Sequence, residues 1–255
     1  MSYNIFLYKP QKVSSLNLSE IRDYISYKYK SKLNVEIRGI SLKNKEGLAK
    51  KFASIRVINA NKEFSLNEPF LGETKFEKKV LAGEILSEGI LYDGFGLQSL
   101  FRDLIKKEEL RLNNIHIFIT NRLIGTFDED DKRYHARTNI IGIPSITSLS
   151  GIVEAPAKPR EFYLLKQKNI PIEILKEKFK GEFIDYNDPR LTDIIKGYVM
   201  QSIFYHLFND AFCENKDCRL FNAHWQEELI NAQLGRNKFC KKHSDMLKQL
   251  YSTHL

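Results

Sequence analysis

The chain has 255 residues, 40 Lys and Arg against 32 Asp and Glu for a net charge of +8, and 42% hydrophobic residues. That length buries a sizeable core without staples, and the composition excludes a disordered or fibrous chain. No apolar run approaches the roughly 18 residues a membrane helix needs, and the opening residues alternate apolar with polar instead of forming a signal core. The expected setting is therefore the cytosol, with no membrane partner.

In chain order, Ile5-Phe6-Leu7-Tyr8 reads as a short strand ended by Pro10. Asn17, three residues before Glu20, suits a helix cap, and Leu18, Ile21, Tyr24 and Ile25 share one face behind it. The strip Tyr27–Lys32 interleaves Tyr27 and Tyr29 with Lys28, Lys30 and Lys32. It reads either as a basic strip with stacking rings for nucleic acid or as the solvated end of that helix. Leu33 to Ile37 alternates as a strand; Leu97, Leu100, Phe101, Leu104 and Ile105 form a helical stripe; Ile115, Ile117 and Ile119 line one face of a strand. The pattern predicts an α/β (α+β) fold, a mixed sheet with flanking helices.

From Arg122 to Phe162 the periodicity breaks into short extended pieces, with Gly125, Gly142, Pro144, Gly151, Pro156 and Pro159 as punctuation, which predicts a loop region dense in polar chemistry. Here Arg137, Lys158 and Arg160 are free to pair with the acidic run Asp128–Asp131. A second long helix follows, with Asp188 as cap, Pro189 in its first position and the stripe Leu191, Ile194, Ile195, Tyr198, Val199 and Ser202, on which His206 also lies. The chain divides into an α/β body over 1–185, with its polar loops at 122–163, and a segment 186–255 holding this helix and a metal subdomain, the two forming one continuous domain.

All three cysteines fall in that last segment, as Cys213-x4-Cys218 and Cys240-x2-His243. An odd cysteine count argues against a disulfide framework, whereas two close pairs separated by a long gap are how tetrahedral structural zinc is held. One structural zinc per chain is expected, in a closed shell with no position for water, so that its role is folding.

This arrangement resembles the archaemetzincins, zinc metallopeptidases whose catalytic helix runs straight into a structural zinc site. Their pattern is H-E-x-x-H-x-x-G-x-x-H followed at once by Cys, then x4-Cys, then a distal aromatic-Cys-x2-Cys. Cys213, Cys218 and Phe239-Cys240-x2-His243 fit its tail, with His243 in place of the last cysteine. On the same register Ser202 stands at the first histidine, Ile203 at the glutamate, Asn209 at the glycine and Phe212 at the third histidine; His206 alone matches, and Leu220 falls near the Met-turn position.

The resemblance implies a metzincin-like fold and a metallopeptidase-like hydrolase acting on a peptide or protein. A zinc peptidase needs three protein ligands, an open position and a carboxylate base. A catalytic site would therefore have to be rebuilt around a second metal from His206, His224, Glu228, His135 and Glu154; His224 and Glu228, four apart, would share a helical face. Otherwise the protein is a non-catalytic descendant. The alternatives are a basic, zinc-stabilised protein that binds nucleic acid or a ribonucleoprotein, and an interaction scaffold with an apolar groove beside residues 144–163. Asn222, Trp225, Gln226 and Gln233 either line a cleft or tie the connection between the zinc pairs to the body, the latter being the reading for Trp225.

Overall fold

A computed structural model describes residues 3–10, 13, 15–30, 33–40 and 45–252; Lys32 of the basic strip lies outside them. Strand β1 (Tyr3–Tyr8) pairs in parallel with β2 (Leu33–Arg38) on one side and β4 (Asn114–Thr120) on the other. Beyond β4 lie β8 (Ser145–Ser148), parallel, and the short β7 (Asn139–Ile140), antiparallel, giving the order β2-β1-β4-β8-β7. A second sheet joins β3 (Leu91–Asp93), β5 (Leu123–Asp128) and β6 (Arg133–Arg137), with β5 between the other two.

The period-2 alternation of the central strands explains the layers, because both faces must be covered. Ile5 and Leu7 of β1 and Ile115, Ile117 and Ile119 of β4 enter one core, against α1 (Leu18–Lys28), α5 (Leu149–Glu154) and α8 (Leu191–Phe208). Phe6, Tyr8 and Phe118 point the other way, into a core shared with α2 (Lys45–Ser54) and α4 (Gly94–Asp103). The first core runs from Ile5 to Leu247 on α10 (Lys241–Ser252). Beside it, α6 (Arg160–Gln167) and α7 (Ile172–Lys178) enclose a small cluster of Phe162, Leu175, Phe179 and Phe183. Among the described residues no helix is long and apolar enough to cross a membrane.

Most of the expected elements form where the pattern puts them. Asn17 caps α1, its Oδ1 accepting from Glu20 N at 3.1 Å. Three readings need correction. The stretch 122–163 forms its short extended pieces as β5 to β8, but it continues into α5 and the start of α6 and is not a loop region, because its glycines and prolines fall at close packing positions and strand ends: a Cβ on Gly151 would come within 2.1 Å of Arg137 O. Lys132 and Arg133 pair with Glu129 and Asp131 of the acidic run, but Arg137, Lys158 and Arg160 form no ion pair with it. Arg137 Nε donates to Thr126 Oγ1, Lys158 Nζ to Val153 O, and Arg160 stacks over Trp225. Asp188 does not cap α8 directly; it accepts from Arg190 N and pairs with the Arg190 guanidinium, and the helix begins at Leu191.

His116 belongs to the second core. Its Nδ1 accepts from the Tyr8 hydroxyl at 3.0 Å, its Nε2 lies 3.1 Å from Glu109 O, and it stacks on Phe6. Burial pushes its pKa below 6.5. Between that folded value and the unfolded one the unfolded chain binds more protons, so stability is full above pH ~6.5 and falls as the solution is acidified. The urea midpoint is expected to drop between pH 7.5 and pH 5, and less steeply in His116→Phe.

Candidate metal centre

Helix α8 ends where Asn209 takes the left-handed conformation, φ 54°, its amide bonded to Tyr205 O at 2.8 Å. Asparagine is the side chain, after glycine, that tolerates this conformation at a helix end, which accounts for Asn209 at the pattern's glycine. The chain then turns into the first cysteine pair. Cys213 N bonds to Leu220 O, Cys218 N to Asn215 O and Phe221 N to Cys218 O, folding residues 213–221 into a tight loop. The second pair sits at the start of α10, and Cys240 N donates to Cys218 Sγ at 3.4 Å.

The four donor atoms of Cys213, Cys218, Cys240 and His243 lie within 4.8 Å of one another. Cys213 Sγ is 3.9 Å from Cys240 Sγ, and His243 Nδ1 is 3.5 Å from Cys218 Sγ and 3.1 Å from Cys240 Sγ. Tetrahedral zinc, with bonds near 2.3 Å to sulfur and 2.0 Å to nitrogen, sets such atoms about 3.5 to 3.8 Å apart, so the donor set fits that ion. His243 is fully buried, and its Nε2 faces Asp210 Oδ2 at 3.4 Å, the carboxylate behind a ligand histidine that fixes its tautomer. Lys242 in turn holds the Asp210 carboxyl below its usual range. Burial pushes the Cys213 thiol up and the Cys218 thiol up to about 12, so a metal is what would make them thiolates.

Buried polar side chains fasten this centre to the body. Gln226 Oε1 accepts from Ile184 N and its Nε2 donates to Ile152 O, while Gln233 Nε2 donates to Arg219 O. Gln233 lies so close to α8 that a Cβ on Gly197 would meet its Oε1 at 1.8 Å. Arg219, 1% exposed, donates to Asp193 O on α8 and to Asn237 Oδ1 and stacks on Tyr24. Gln226 and Gln233 thus tie the connection down, and Trp225, 37% exposed, does so as well through its backbone bridge to Ala157 and through Arg160.

On α8, Ser202 and Ile203 are fully buried, and Ser202 Oγ bonds back to Tyr198 O. His206 Nε2 lies 3.1 Å from the Gly142 carbonyl, and burial pushes its pKa down. Phe212 is 44% exposed.

Residues 1–250 match the family described as "Probable metallopeptidase family (DUF6775)". The chain belongs to that family. Among solved structures, archaemetzincin from Methanopyrus kandleri is similar at a TM-score of 0.50 and 10% identity, over 98% of this chain and 96% of that one. A zinc-dependent peptidase from Methanocorpusculum labreanum gives a TM-score of 0.48 at 14% identity, over 95% and 99% of the two chains. No curated protein matches. The first likeness shows an archaemetzincin-like fold.

The five catalytic candidates are not gathered into one set. Among the described residues, His/Cys/Asp/Glu donor atoms come together in threes or more only in the Cys/His cluster and in Asp128, Asp131 and His135. His135 therefore sits with its own hairpin, Nε2 2.8 Å from Asp131 Oδ2. Glu154 is exposed and accepts from the Tyr186 hydroxyl. His224 and Glu228 do not share a helical face, because α9 (Gln226–Ile230) begins after His224; Glu228 Oε2 instead accepts from the amides of His224 and Trp225, capping that helix, and Oε1 pairs with Lys216. In the basic strip, Lys28 folds over the rings of Tyr24, Tyr27 and Phe239. The sequence reading missed Asp210, whose signal was an acidic residue three positions before Cys213.

Proposed function

We propose that the chain is a zinc-stabilised member of the metallopeptidase family in which helix α8 no longer performs water-activated peptide hydrolysis, its one zinc being the structural ion of Cys213, Cys218, Cys240 and His243. The observation that carries this reading is the state of α8. The positions that would offer the first ligand and the general base hold Ser202 and Ile203, both fully buried in apolar packing, and His206 is engaged with a backbone carbonyl. A lone histidine supplies one of the three protein ligands that hydrolysis needs, and no carboxylate stands beside it in the helix register. Zinc in the Cys3His shell cross-links the chain and leaves no place for a substrate oxygen. The partner class that the family suggests is a peptide or protein, bound without being cut.

Incubating the zinc-loaded protein with a mixed peptide library tests this. No cleavage above the buffer blank is expected, whereas cleavage that His206→Ala abolishes would overturn the reading in favour of a rebuilt site. In the same variant zinc content is expected to stay unchanged, and stability to fall by about 0.5–1.5 kcal/mol, the worth of one hydrogen bond, because the half-buried Gly142 carbonyl keeps Ser145 Oγ as a donor.

A further inference from the structure

The parallel part of the main sheet changes direction at β1. The chain leaves β1 through α1, on one face, to reach β2, and returns through α2 and α4, on the other face, to reach β4 on the opposite side of β1. In open α/β sheets the crevice outside the carboxyl ends of two strands that diverge in this way is where ligands bind. A cavity of about 40 Å³ lies there, lined by Pro10 after β1, Ile40 after β2, Arg122 after β4, and Phe52, Leu86 and Ser87. It has the space of about three waters.

Two of its lining groups are buried polar atoms without hydrogen-bond partners among the described residues, Ser87 Oγ and Arg122 Nη2, on residues 1% and 4% exposed. Such groups are rare and call for a partner. Arg122 is fixed with its guanidinium stacked on Phe52 and Tyr92, 3.9 and 4.7 Å from the ring centroids. Its Nη1 faces Glu77 Oε2 at 2.6 Å, but Glu77 also serves Arg56, so two nine-tenths-buried guanidinium groups share one fully buried carboxylate. The remaining charge partner of Arg56, Glu73, stands 3.8 Å from it and is partly exposed. Two guanidinium groups and two carboxylates balance in number here, yet Arg122 Nη2 has no acceptor among the described residues, and apart from Ser87, Thr120 and Asn121 the walls around it are apolar.

We propose that this crevice is a second ligand site, for a carboxylate no larger than acetate: the head accepts from Arg122 Nη2 and Ser87 Oγ, and the methyl group lies against Phe52 and Leu86. The head needs both donors together, and the small volume excludes a bulky or multiply charged group.

The test uses the full zinc-loaded chain with acetate as probe and acetamide, its neutral isostere, as control at matched ionic strength. Acetate is expected to give saturable heat in titration calorimetry and to raise the melting temperature, acetamide to do neither, and Ser87→Val to weaken acetate about tenfold, the worth of one buried hydrogen bond. Equal effects of acetate and acetamide, or wild-type acetate affinity in Ser87→Val, would overturn the proposal. Should Ser87→Val fail to fold, nuclear Overhauser contacts between the acetate methyl group and the Phe52 ring decide on the wild-type protein: their presence supports the site and their absence refutes it.

Discussion

Cys218→Ser is expected to strip the zinc from the protein and to lower its melting temperature by roughly 10 °C or more. Cys218 is at once one of the four donors that fit a zinc ion and a fully buried member of the main core, alongside Leu220, Leu229 and Leu247. Without the ion, Cys213, Cys240 and His243 lose the tie that brings α10 against the loop after α8. A serine hydroxyl in that apolar place would also be a polar group with poor partners, a further cost of about 1–3 kcal/mol. Chelation of the wild-type protein removes only the metal, so its melting temperature should fall by somewhat less. Melting curves with and without a strong chelator check both points; a wild-type curve that the chelator leaves unmoved would mean that the cluster is simply three packed thiols and a histidine.

The second large effect is predicted at Glu77, far from the metal. On α3 (Leu71–Ala82), Glu77 is fully buried, with Oε1 accepting from Arg56 Nε at 3.0 Å, Arg56 Nη2 at 2.7 Å and the Tyr92 hydroxyl at 2.6 Å, and Oε2 facing Arg122. Burial is the main cause of the raised pKa of Tyr92, so this hydroxyl remains a donor to the carboxylate at any ordinary pH. Glu77→Ala leaves two buried guanidinium groups with nothing between them, a change that costs about 3–5 kcal/mol and should lower the melting temperature by roughly 10 °C. Glu77→Gln keeps the acceptor and the shape and should cost less. Thermal unfolding followed by circular dichroism reads both, and zinc content should be untouched in either variant.

The fold was legible where a residue's period settles its face. Ile5 and Leu7 against Phe6 and Tyr8, and the isoleucines of β4, announce strands buried on both sides. The metal cluster was legible because zinc ligation has a local spacing. What sequence could not give is the set of contacts made across long separations. The spacing of His224 and Glu228 fits a helix, but Glu228 caps α9, and the helix starts two residues after His224. The glycines and prolines between Arg122 and Phe162 look like loop punctuation, yet Gly151 exists to let Arg137 O approach. The Glu77, Arg56 and Arg122 cluster has no local pattern at all, because its members come from α3, the segment after α2 and the turn before β5.

Elemental analysis of protein purified without added metal, comparing wild type with Cys240→Ser and His206→Ala, decides between one structural zinc alone and an additional catalytic ion. One zinc per chain, lost with Cys240→Ser and retained in His206→Ala, is the predicted result. Two metals per chain, one of them lost with His206→Ala, would contradict it and place a working metal on α8.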